Sequence, residues 1–156
     1  MRITEVEKSK FTNWSMPDEA TMQADFKEYK KKENSKWEGR ARSMGFRFPI
    51  FDTFEDFKEA LMTSPVITLD KAHDRNIKNR SHTSSIEQLK ALVSGYYQPR
   101  NVDRIVQGYE SNAKMPHPIV LKGSKGEWIM AGNTRLDTAF IMGVEPKVIV
   151  VDVSDS

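Results

Sequence analysis

Apolar positions along this chain alternate between helical spacing and compact β-branched runs. Met22, Phe26 and Tyr29 recur at three- and four-residue intervals, as do Phe54, Phe57 and Leu61. Ile86, Leu89, Leu92 and Val93 repeat the pattern, followed by Val102, Ile105, Val106 and Tyr109, and finally Leu136, Ala139 and Phe140. Between them stand runs suited to strands: Val66, Ile67, Thr68 and Leu69; Ile119, Val120 and Leu121; Trp128, Ile129 and Met130; and Val148, Ile149, Val150 and Val151.

Start and stop residues sharpen these elements. Ser15, followed by Pro17, Asp18 and Glu19, suits the head of the first helix, where the helix dipole favours acids. Asp52 or Thr53 opens the second. Ser84 and Glu87 read as a capping box, with Gly95 closing that helix. Asn101 opens the next helix, and Gly143 closes the last. Gly123, Ser124, Lys125 and Gly126 are hairpin-turn chemistry. Residues 70–82 carry little apolar content and read as a loop. The order of strand, hairpin, helix and strand predicts an α/β fold with a small mixed sheet and flanking helices. Residues 1–45 read as a helical N-terminal extension and residues 46–156 as the α/β domain.

The composition agrees with a globular domain: 156 residues, 38% apolar, with 8 Phe, 3 Trp and 4 Tyr. The absence of cysteine excludes disulfides, thiolate metal sites and thiol nucleophiles. No apolar run approaches the ~18 residues of a membrane span, and the N-terminus lacks the apolar core of a signal peptide. A cytoplasmic protein without a membrane partner is expected. The net charge of +2 announces no nucleic-acid partner, so that reading depends on clustering. Lys30, Lys31 and Lys32 suit a solvated helix end or a docking point for phosphates.

The chemistry gathers at Gly132, Asn133, Thr134 and Arg135, where a strand runs into a helix. Glycine permits positive φ and a close backbone approach. The first helical turn offers unpaired N–H groups with partial positive charge. Thr134 adds a hydroxyl and Arg135 a planar fork of donors, which together suit a phosphate. Phosphoryl transfer also needs a base and acids. Asp70 and Asp137 are the catalytic candidates; with Asp103 they also suit helix-end positions. His73, His82 and His117 lack metal-ligand spacing, so no metal site is assigned. Arg75, Lys78, Arg80 and Arg104, with Arg100, form the basic group available to DNA.

The stretch from Pro118 through the glycine turn to Leu136, continuing through Ala139, Gly143, Pro146 and the last strand, resembles the ParB/sulfiredoxin superfamily. Gln98, Pro99 and Arg100 are similar to the Gln-Pro-Arg box of ParB N-terminal domains, and the Gly-Asn-Thr-Arg core resembles small ParB-like proteins of tailed bacteriophages. The resemblance implies an ATP or CTP site with Mg²⁺, with phosphates on Gly132, Asn133, Thr134 and Arg135 and with Arg100 at the rim. It implies a nucleotide-dependent phosphotransferase or NTPase, or alternatively a phage DNA-binding protein or nuclease, or an accessory protein that binds a host protein in the host cytoplasm. Asn133 stands where sulfiredoxin places its catalytic cysteine, which excludes that chemistry. Ala131 stands where the family's free-serine kinase has an acid. With the chain ending at Ser156, a sliding DNA clamp is not expected.

Overall fold

The computed structural model describes residues 10–93 and 99–155. Its elements in chain order are β1 (Trp14–Ser15), α1 (Glu19–Lys32), α2 (Ser35–Ser43), α3 (Phe54–Thr63), β2 (Val66–Thr68), α4 (Lys71–Arg75), β3 (Ile77–Lys78), α5 (Ile86–Val93), α6 (Pro99–Glu110), β4 (Met115–Pro116), β5 (Ile119–Lys122), β6 (Glu127–Ala131), α7 (Asn133–Met142) and β7 (Lys147–Asp152). The fold is mixed α/β. Five strands form one sheet in the order β2-β7-β5-β6-β3, and β1 pairs with β4 apart from it. The sheet is mixed: β5 runs parallel to β7, and β3 to β6, while β2–β7 and β5–β6 are antiparallel.

Strand alternation divides the core into two layers. Ile119, Leu121, Trp128, Ile149 and Val151 face one side, where they meet Met22, Tyr29, Trp37 and Ala41 of α1 and α2 and Phe57 and Leu61 of α3. Val120, Ile129, Val148 and Val150 face the other, against Leu136 of α7 and Ile77 of β3. Both faces are covered, which explains why β7 reads as an unbroken apolar run. The N-terminal helices are thus one layer of the shared core, with α5, α6 and α7 together on the far side.

Three local readings change. Asp18, not Ser15, caps α1: its carboxylate accepts from Thr21 N, while Ser15 lies in β1 beside Pro116. The loop expected over 70–82 contains α4 and β3, because the Asp70 carboxylate accepts from His73 N and starts a helical turn. The cap of α5 is one residue later than expected. Ser85 Oγ accepts from Gln88 N, and Gln88 Oε1 accepts from Ser84 N and Oγ, so Glu87 is not the partner. Gly95, the expected end of α5, lies outside the described residues. No helix among the described residues is long and apolar enough to cross a membrane.

Candidate functional site

β6 hands the chain to α7 at Gly132, whose φ of 91° is left-handed. A Cβ there would fall 2.7 Å from Pro118 Cβ and 2.9 Å from Arg135 Nη2. Glycine is therefore required twice, by its conformation and by the close approach of Pro118. Having no side chain, Gly132 leaves the first turn of α7 without a side-chain cap.

Asn133 and Asp137 stand one turn apart on one face of α7. Arg80 bridges them. Its Nε donates to Asp74 Oδ1 at 2.6 Å and its Nη2 to Asp74 Oδ2 at 3.1 Å, a bidentate fork. Its Nη1 donates to Asn133 Oδ1 and also approaches Asp137 Oδ1 to 2.8 Å, an ion-pair contact without hydrogen-bond alignment. Asp137 Oδ2 accepts from Ser81 Oγ, and from Thr83 Oγ1 at 2.8 Å. Ser81 N donates to the Asn133 side chain at 3.2 Å. Segment 80–83 is in this way tied to the head of α7.

That clamp places His82. The residue adopts a φ of 49°, and its Nδ1 lies 3.2 Å from Asp74 Oδ2. The Asp74 carboxylate thus stands beside one ring nitrogen, and the ring is partly exposed to the cavity. His82 lines a cavity of about 390 Å³ together with Lys71 and Arg75 of α4, Thr83 and Ser84, and Asp137, Phe140 and Ile141 of α7. This volume lies in the range of small-ligand sites. Lys71, Arg75 and Arg80 outnumber Asp74 and Asp137 around it, which favours an anion.

The expected site residues separate into groups. Arg75, Arg80 and Asp137 line the cavity. Asp70, expected to be catalytic, is exposed at the head of α4 and is not part of the lining. Gly132, Asn133, Thr134 and Arg135 form the adjoining helix head rather than the cavity wall. The Arg135 charge bears on Asp25, Tyr109 and His117, and Tyr109 Oη donates to Arg135 O at 2.8 Å. Burial raises the Asp25 carboxyl above its ordinary range, and the Arg135 charge opposes that rise. The four residues expected to touch DNA do not share one surface. Arg80 is buried in its ion pairs, Lys78 lies across the sheet beside Trp128, and Arg104 is exposed on α6. The side chain of Arg100 lies outside the described residues.

Periodicity carried no signal for Asp74, Ser81, His82 or Thr83, because their roles depend on contacts reaching across the fold to α7. The one legible clue was Asp70 three residues before His73, the spacing of a helix cap.

No family model, curated protein or solved structure matches this chain.

Proposed function

We propose that the chain is a nucleotide-binding phosphotransferase or NTPase of the ParB/sulfiredoxin-like type, taking ATP or CTP. The observation that carries this reading is the cation-lined cavity beside α7 that contains the His82–Asp74 pair. The phosphates lie against the Lys71 and Arg75 side chains, where two exposed cations act together. Phe140 and Ile141 offer an apolar surface to the base or to the acceptor.

In the transfer step, His82 Nε2 takes the proton from the acceptor hydroxyl or water. The acceptor oxygen forms its bond to the terminal phosphorus while the bond to the leaving phosphate oxygen breaks, and the electron pair departs with the nucleotide. Asp74 holds the imidazole and balances its positive charge. The acids here do not fit a protein-held Mg²⁺. Asp74 and Asp137 both face Arg80, and no cluster of three His, Asp or Glu among the described residues could hold a metal.

A thermal-shift series on the full chain tests the reading, since a ligand that binds the native state raises its melting temperature. ATP or CTP should raise it, and Lys71→Ala with Arg75→Ala should abolish the rise. His82→Ala should keep the rise yet lower phosphate release about 10²–10⁴-fold, the range for general acid–base catalysis. A rise that survives the double variant would place the nucleotide elsewhere.

A further inference from the structure

Across the sheet from that cavity, two depressions of about 430 and 310 Å³ share Arg40, Asn79 and Trp128 and so form one groove. Its cations come from three places in the chain. Lys31 and Lys32 stand at the end of α1, Lys36 and Arg40 one turn apart on α2, and Lys78 on the edge strand β3. All five are exposed, and no carboxylate lines either depression.

The nearby acids are engaged with other residues. Glu33 pairs with Lys30 and Glu38 with Arg42, while Glu28 reaches only Lys31, in an exposed pair. Lys32, Lys36, Arg40 and Lys78 have no ion-pair partner among the described residues. Like charges one turn apart repel, as Lys36 and Arg40 do, and neither has an ion-pair partner among the described residues. Trp37 and Trp128 pack edge to face at 4.7 Å in the floor, and Trp128 remains 9% exposed where the groove passes over it.

We infer that this groove binds the phosphodiester backbone of a single-stranded nucleic acid. Exposed cations along a concave track match the phosphates of that ligand. A duplex or a membrane surface is too broad to enter depressions of this size, and an acidic peptide would find little apolar anchoring beyond Met44 and the indole edge. Side-chain alternation in β3 decides the placement: Ile77 turns to the α7 face and Lys78 to the α2 face, so the groove and the nucleotide cavity lie on opposite sides of the sheet.

Fluorescence anisotropy of the full chain with a labelled 20-nucleotide oligothymidylate tests this. Binding should weaken with salt at a slope near about −0.7 per phosphate neutralised, or about −3.5 if all five cations engage. Lys36→Ala, Arg40→Ala and Lys78→Ala together should lower affinity at least tenfold and flatten the slope to about −1.4, with the melting temperature unchanged. Lys36→Arg with Lys78→Arg should retain binding, and Arg104→Ala, on another face, should leave it untouched. No binding at ~50 mM salt, an affinity the triple variant leaves intact, or stronger binding to duplex DNA or to phosphatidylserine vesicles would overturn the inference.

Discussion

Arg80 and Asp137 meet at 2.8 Å with both side chains only 1% exposed, the guanidinium being shared with Asp74 and Asn133. This contact ties the segment after β3 to α7 and sets the position of His82. A buried pair of this kind adds little over an apolar equivalent, yet breaking it from one side is costly, because a desolvated charge is left without compensation.

Arg80→Ala should therefore cost about 3–5 kcal/mol of folding stability. Urea unfolding at neutral pH measures it. Arg80→Lys should recover only part, since an ammonium cannot reproduce the fork on Asp74. A loss of less than about 1 kcal/mol, the level of an exposed ion pair, would show that the cluster is solvated.

Gly132→Ala should destabilise the fold by about 1–3 kcal/mol, the cost of holding a side chain in a strained backbone region. The clash with Pro118 adds to the strain, because the nearest atoms include backbone. Thermal unfolding of the variant without ligand isolates this effect from phosphate binding. A variant as stable as the parent would mean that the glycine serves the ligand alone.

Acid should weaken the fold through His117. Burial lowers its pKa, and the Arg135 charge acts in the same direction, while its Nδ1–H donates to Lys147 O at 2.8 Å. The neutral ring is the form the fold accepts. Its stabilisation is complete above the ordinary imidazole range and is lost as pH falls through that range toward the lowered value. Melting temperatures from pH 7.5 down to 5 should fall in the parent and fall less in His117→Gln. Parallel curves would assign the acid sensitivity to other groups.

Much of the scaffold was legible in the residues themselves. Helices α3 and α7, the hairpin β5–β6 and the apolar strand β7 follow from spacing, turn chemistry and Gly143, because each depends on neighbours within a few positions in the chain. Phosphate chemistry at the head of α7 could be proposed from Gly132 and its successors for the same local reason. Tertiary structure decided what those residues face. The effect of the Arg135 charge on Asp25, Tyr109 and His117, and the pairing of Arg80 with Asp74 and Asp137, join positions as many as 110 apart in the chain. Likewise, the N-terminal helices read as an appendage because α1 carries a thin apolar stripe. Only the folded sheet shows that Trp37 and Met22 complete its core, since burial depends on the partner surface as well as on the residue.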